Sequence, residues 1–284
     1  MARTKHHTPD YSDTSKGNFR LAYHLEMVSD SERVGQFKAA IDTVVNSETI
    51  FCEVGCGTGI FSIHAARTAK KVYAVELDPE VYAFAKKNIE ASGLTNIELI
   101  HGNAKDVLLA EKADVVFCEM LSIWMIDEPQ VSVMNSVVRN ILKPGGITIP
   151  EKIVNIAELC NVDYMYDGIE IKASIAQFTG IKPPRIMTES KVFDTYKLNE
   201  INEEKVDKSI SFTTLTSGEV NAVRLSSIVK LCEGLNFFST DTLMPLTIVP
   251  LQKSLYIEDS SEINLHAKFN FRVDIDDAEF SLIK

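Results

Sequence analysis

The sequence predicts an α/β chain in which a doubly wound parallel sheet is followed by a smaller antiparallel β domain. Three observations carry this. Between residues 50 and 150, short β-rich runs alternate with helical stretches, the signature of βαβ units. The first of those runs enters Gly55-Cys56-Gly57-Thr58-Gly59 and then a helical pattern. After Lys143-Pro144-Gly145-Gly146 the helical period fades and a period of two replaces it.

Residues 1–18 are polar, with turn-type clusters at Thr8-Pro9-Asp10 and Ser15-Lys16-Gly17-Asn18; little there can be buried, and the segment is expected to be mobile without ligand. Phe19 onward to Val45 reads as one or two helices with a break near Ser29. Ser29-Asp30-Ser31-Glu32 has capping-box spacing, and Val34, Phe37, Ala40, Ile41 and Val44 follow a helical period. Strands are expected at residues 50–54, 72–76, 97–100 and 114–118, and helices at residues 60–69, 79–92 and 128–142. Pro79, one residue beyond Asp78, suits a helix's first turn. Beyond residue 150, Ile263, Leu265, Ala267, Phe269, Phe271, Val273 and Ile275 alternate with mostly polar residues, as in a strand buried on one face. Val223, Leu225, Ile228, Val229 and Leu231 read as another strand with a bulge. Lys182-Pro183-Pro184-Arg185 reads as a loop and residues 200–208 as a solvated charge run. No internal repeat is found.

The 284 residues are enough to bury a core without disulfide or metal staples, and 45% hydrophobic with 24% charged residues excludes a disordered or collagen-like chain. No apolar run approaches the ~20 residues needed to span a bilayer. The basic leader Met1-Ala2-Arg3-Thr4-Lys5-His6-His7 has no apolar segment after it, so the expected location is the cytoplasm. Five cysteines, without C-x-x-C spacing and mostly inside apolar runs, suggest a reduced compartment and no metal. Forty acidic against 29 basic residues give a net charge of −11, which disfavours a nucleic acid partner and suits a cationic or neutral substrate.

Glycines at the bend after residues 50–54 let a ligand approach where a β-carbon would collide, at the strand end where open α/β sheets bind nucleotides. Glu76, 17 residues after Gly59, ends the next strand, where a carboxylate can accept both hydrogen bonds of a ribose diol. Neither a dinucleotide G-x-G-x-x-G nor a phosphate-cradling G-x-x-x-x-G-K-[ST] is present, which favours a ligand without phosphates. Glu53-Val54-Gly55-Cys56-Gly57-Thr58-Gly59, with Glu76 and Gly102-Asn103-Ala104-Lys105-Asp106, resembles the class I S-adenosylmethionine-dependent methyltransferases over about residues 24–151. That resemblance implies a Rossmann-like fold and S-adenosyl-L-methionine as cofactor. Gly55, Gly57 and Gly59 would pass under its methionine and ribose part, Glu53 would lie near its amino end, Glu76 would hold the ribose hydroxyls, and Asn103 and Ala104 would flank the adenine. Asn103 also reads as a plain turn residue after a strand.

The fourth expected strand runs into Glu119, and Glu128 follows nine residues later, just before Pro129 and a helical run. A carboxylate at a strand's carboxyl end projects into the ligand crevice, one at a helix start is favoured by the dipole, and both can face one cavity. Two such acids call for a cation between them, and a guanidinium matches carboxylates bidentately. Residues 119–128 resemble the double-glutamate loop of the protein arginine methyltransferases, with Glu119 and Glu128 as its acids. His24-Leu25-Glu26-Met27-Val28-Ser29-Asp30-Ser31-Glu32-Arg33 resembles that family's amino-terminal helix, which implies that Met27 packs near the sulfonium and Arg33 pairs with the cofactor carboxylate. The implied division is residues 1–48 covering the cofactor, 49–150 binding it, and 151–284 selecting the substrate.

Each of these residues also has a bland reading: Glu128 as a helix-start charge, Arg33 as a surface partner of nearby acids, and Trp124 as a core residue, although in this loop it can also stack on a cation. The chain departs from the family at three points. No Thr-His-Trp loop is found between Ser239-Thr240-Asp241 and Leu246-Thr247-Ile248-Val249, the double-tyrosine pattern before the first helix is unmatched, although Tyr11, Phe19 and Tyr23 lie near, and residues 151–284 are few for both a barrel and a dimerisation arm. The expected activity is N-methylation of a guanidino or amino nitrogen in a cationic peptide or protein, with a homodimer as the assembly the resemblance allows. The alternatives are N-methylation of a modified peptide natural product or small amine, and a non-catalytic binding module with the same fold. Val162-Asp163-Tyr164-Met165-Tyr166-Asp167 reads either as a cationic pocket lining or as a strand edge entering a turn at Gly168.

Overall fold

The computed structural model of the chain describes residues 21–178, 181–238 and 244–283. The polar residues 1–18, Phe19 and the start of the searched stretch at Ser239-Thr240-Asp241 lie outside them. Two helices come first, α1 (Leu21–Ser29) and α2 (Ser31–Val44). The break falls where the capping pattern puts it, but Asp30 is the cap: its carboxylate accepts from the Arg33 N–H at 3.0 Å, while the Ser29 hydroxyl donates back to the Leu25 carbonyl.

There follow β1 (Ile50–Val54), α3 (Ile60–Ala65), β2 (Lys71–Glu76), α4 (Pro79–Ser92), β3 (Ile97–His101), β4 (Ala113–Cys118), α5 (Gln130–Asn140) and β5 (Leu142–Ile149). The strands form one parallel sheet in the order β3-β2-β1-β4-β5. β1 is buried along its whole length, as a central strand covered on both faces must be. The strand order reverses between β1 and β4, whose last residues Val54 and Cys118 are register partners, so the ligand crevice of such a sheet opens beyond them. α4 keeps its expected limits because Asp78 caps it, Pro79 opens it and Gly93, in the left-handed region, ends it. α3 is shorter than expected: the Asn96 side-chain amide takes the Ala66 and Ala69 carbonyls and closes the chain off from further helix. α5 starts at Gln130 and not at residue 128, since Pro129 disfavours helical backbone at the residue before it.

The remaining strands are β6 (Lys152–Asn161), β7 (Met165–Tyr166), β8 (Ile169–Glu170), β9 (Ile175–Ala176), β10 (Arg185–Ile186), β11 (Lys191–Lys197), β12 (Lys205–Thr213), β13 (Gly218–Cys232), β14 (Leu235–Phe238), β15 (Thr247–Ile257), β16 (Glu262–Asn270) and β17 (Glu279–Ile283). They make antiparallel sheets, one on the path β10-β6-β13-β15-β9 and one ordered β12-β16-β17, so a β domain follows the Rossmann-like part. Four sequence expectations need correction. The alternating run from Ile263 stops as a strand at Asn270: Arg272 takes φ 71°, and the Arg272 and Val273 N–H groups donate to the Ile126 carbonyl instead of a sheet neighbour. Residues 205–208 of the charge run belong to β12, an edge strand with Val206 buried. Arg185 leaves the proline loop to pair with Asn161. The strand around Val223–Leu231 is longer, with one register shift before that run, at Val220/Ala222, and one on its last residue, at Lys230/Cys232.

One apolar core runs through both parts. Phe37 of α2 meets Phe61 of α3, Phe117 of β4 and Phe237 of β14 with ring centroids 5.3–5.9 Å apart, which fixes α2 over the end of the parallel sheet. Among the described residues no helix is long and apolar enough to cross a membrane.

Candidate active site

Beyond β1 the chain makes the glycine turn, with φ of 72° at Gly55, 54° at Gly57 and 78° at Gly59, all in the left-handed region. The Gly55 and Cys56 N–H groups both donate to the Val75 carbonyl at 2.9 Å, so the turn folds back toward β2. A β-carbon at Gly55 would lie 2.5 Å from Met120 Cε, and one at Gly57 2.9 Å from His24 Nδ1. Bare backbone at Gly55 and Gly57 is thus covered closely by side chains from beyond β4 and from α1, with no room for a β-carbon at either position.

Glu76, nearly buried at the end of β2, accepts from the Gly57 N–H through Oε2 and from the Leu77 and Asp78 N–H groups through Oε1, each at 2.9 Å. Burial raises its pKa, and the three N–H groups counter that shift. Glu53, also buried, turns to the start of α3: its Oε2 accepts from the Ser62 N–H at 2.7 Å and contacts the Ser62 hydroxyl. Burial pushes its carboxyl up to about 8, against those bonds. Asn103 is exposed and its side chain accepts from the Lys105 N–H, the geometry of a turn residue, while Ala104 is buried. Met27 is half-buried on α1.

Glu119 stands one residue beyond β4, nearly buried, and its carboxylate contacts the Arg33 guanidinium. The structure therefore brings together the acid from the strand end and the cation from α2. The Glu128 N–H and the Asp127 N–H both point to the Ser122 hydroxyl, and burial pushes the Glu128 carboxyl up to about 7. Asp127 rises to about 7 as well, by burial and then by its neighbours Asp274 and Glu128. Among the described residues no cation lies over Trp124. It is fully buried, stacks on Phe193 at 4.6 Å, and donates its indole N–H to the Ser226 and Ile156 carbonyls at 3.0 and 3.2 Å. Trp124 and Met125 both have positive φ, 54° and 60°, so the loop between the two acids is held in a conformation that side chains of this kind rarely adopt.

Residues 51–146 match the methyltransferase domain family. The whole chain is similar to an uncharacterized protein of Methanocaldococcus jannaschii, 31% identical over 263 residues that cover 92% of this chain and 96% of that one. It also matches the probable protein arginine N-methyltransferase 6 of Arabidopsis thaliana, 33% identical over 135 residues, 46% of this chain and 31% of that protein. Among solved structures it superposes on the Trypanosoma brucei PRMT1 enzyme-prozyme heterotetrameric complex with AdoHcy, with a TM-score of 0.74 and 16% identity, covering 93% of this chain and 99% of the other. The chain belongs to the class I S-adenosylmethionine-dependent methyltransferases. Within them it resembles the protein arginine methyltransferases, and it spans about a third of the length of the named Arabidopsis relative.

Two residues near the end of the parallel sheet, His24 and Gln130, have no marked role in the sequence. His24 covers Gly57, and burial lowers its pKa; the signal was its place three residues before Met27, on the same helix face. Gln130 is completely buried against the end of β4, and nothing in its sequence neighbourhood marks it. The two tyrosines read as one pocket part company. Tyr164 enters a small core with Cys160, Ala222 and Ile248, while Tyr166 is exposed on the β7–β8 hairpin, whose turn is Asp167-Gly168.

Proposed function

We propose that this methyltransferase modifies a guanidino or amino nitrogen of a cationic peptide or protein, with arginine as the acceptor the site suits best. The observation that carries this reading is the contact between Glu119 and Arg33: a nearly buried carboxylate at the crevice end of β4 already accepts a guanidinium. S-adenosylmethionine supplies the methyl group as a sulfonium electrophile. The chain's part is alignment and proton handling, and alignment alone is worth about 7–11 kcal/mol in favourable reactions.

For an arginine acceptor, Glu119 takes the place on the incoming guanidinium that it now has on Arg33, and Arg33 moves to the donor's carboxylate, the partner the resemblance gives it. Pairing draws the positive charge onto the held nitrogens and leaves electron density on the free one. Glu128, shifted to about 7 by burial, is near neutrality, where a carboxylate works best as a base toward the departing proton. An amine acceptor needs that base more, because an ammonium has no lone pair. Residues 1–48, 49–150 and 151–284 would cover the donor, bind it and select the acceptor.

A second reading keeps the chemistry and changes the acceptor. Thr247, Ile248 and Val249 are buried, with neither histidine nor tryptophan among them, which favours a modified peptide or small amine. The test is methyl transfer from labelled donor to an arginine-rich peptide, a peptide whose only free nitrogens are amines, and a lysate, followed by acid hydrolysis. Methylarginine is expected. Label confined to amines or small molecules transfers the assignment to the second reading, and no label at donor saturation leaves only a binding module.

A further inference from the structure

Glutamine is usually exposed, and at the first residue of a helix its side chain ordinarily reaches solvent. Gln130 does neither. It opens α5 with no exposed surface, and its carboxamide lies along the chain just past the end of β4. Its Nε2 donates to the Cys118 carbonyl at 3.0 Å and its Oε1 accepts from the Met120 N–H at 2.7 Å, with the Cys118 thiol 3.6 Å from the same oxygen. Those two backbone groups flank Glu119. The side-chain amide does what a neighbouring strand's peptide group would do, bonding the carbonyl before a residue and the N–H after it, and it extends the ladder one residue past β4.

We infer that Gln130 is a positioning residue for methyl transfer: by bracketing Glu119 it sets the direction of that carboxylate and its separation from Glu128, two residues before Gln130. The inference rests on the reading of Glu119 as the acid that holds the acceptor. It explains how two carboxylates joined by a loop of uncommon backbone stay at one spacing. The eight-residue connection does not have to hold them, because one amide ties the strand end carrying the first acid to the helix start following the second. Trp124 fastens the middle of the same loop to the Ile156 and Ser226 carbonyls, so the loop is held at both of its sides.

Gln130→Met keeps the volume and removes both bonds, and should lower kcat about 30- to 100-fold, as a displacement of about 1 Å at a reacting group does, with donor Kd within threefold of wild type. Gln130→Glu supplies a readout that a merely structural role does not move. As a neutral carboxyl it can donate to the Cys118 carbonyl and accept from the Met120 N–H; ionised, it loses the donor. The Cys118 thiol touches the site, Glu53 and Glu128 both act electrostatically on that thiol, and Glu119 is paired to Arg33, so a glutamic acid in this enclosed place is favoured in its neutral form. The ratio of its kcat to that of wild type, taken at each pH to cancel the titration of Glu128, should be within about threefold of one at pH 6 and fall at least tenfold by pH 9. A flat ratio overturns the inference, as does a Gln130→Met enzyme with kcat within threefold of wild type. If Gln130→Met does not fold, the Gln130→Glu profile decides alone. Glu119→Gln in the same assay separates the failures: its loss with Gln130→Met unimpaired overturns the bracket alone, and its retention overturns the role of Glu119.

Discussion

Glu53 should make the stability of the protein fall as pH rises. The carboxyl is fully enclosed between β1 and the start of α3, and its pKa stands at about 8 against an ordinary 4.5. A raised carboxyl pKa means that the folded protein binds the proton more tightly than the unfolded chain does. The resulting stability is complete below pH 4.5 and is lost as pH rises through 8, at about 1.4 kcal/mol per unit. The full span is about 5 kcal/mol, of which about 3 kcal/mol is already gone at pH 7. Glu53→Gln keeps an oxygen for the Ser62 N–H and removes the titration. Urea unfolding of both proteins at pH 5, 6, 7 and 8 should show the variant gaining on wild type by several kcal/mol across that range, and a difference constant to within about 1 kcal/mol would refute the reasoning. The same carboxyl links pH to the donor: an amino group lodged beside it draws the proton off, so donor affinity should rise with pH in wild type and much less in Glu53→Gln.

Two further outcomes follow from single contacts. Trp124→Phe retains a ring against Phe193 but loses the indole N–H to Ser226 and Ile156; chemical unfolding should show a loss of about 1–2 kcal/mol, and kcat should drop with it as the acid loop loosens. Glu76→Ala leaves the Gly57, Leu77 and Asp78 N–H groups without their acceptor, and calorimetry should show donor affinity at least tenfold weaker; unchanged affinity would remove Glu76 from the site.

What could be read from the sequence was local. α4 has its cap, its opening proline and its closing glycine within two residues of its ends, so its limits are correct to the residue. The three glycines of the turn need positive φ, and glycine is the residue that signals it. Trp124 and Met125 need the same backbone with no such residue, because Asn155 bonds the Trp124 carbonyl and the indole bonds two strands that lie far along the chain. Gln130 is illegible for a related reason: its role depends on which way the first turn of α5 faces once the helix lies against β4. The run from Ile263 reads as one strand because its alternation continues past Asn270, although the backbone there has already turned to the Ile126 carbonyl. Glu119 and Arg33 each stand out in the sequence, but their contact joins α2 to the residue after β4 and no spacing within either segment reveals it.

On the proposed function, the carboxylate beyond β4 holds the nitrogen to be methylated. The most direct test of that role is single-turnover transfer by Glu119→Gln to an arginine peptide with the donor saturating. The rate should fall at least a hundredfold below wild type while donor Kd stays within threefold; a rate near wild type contradicts that role for Glu119.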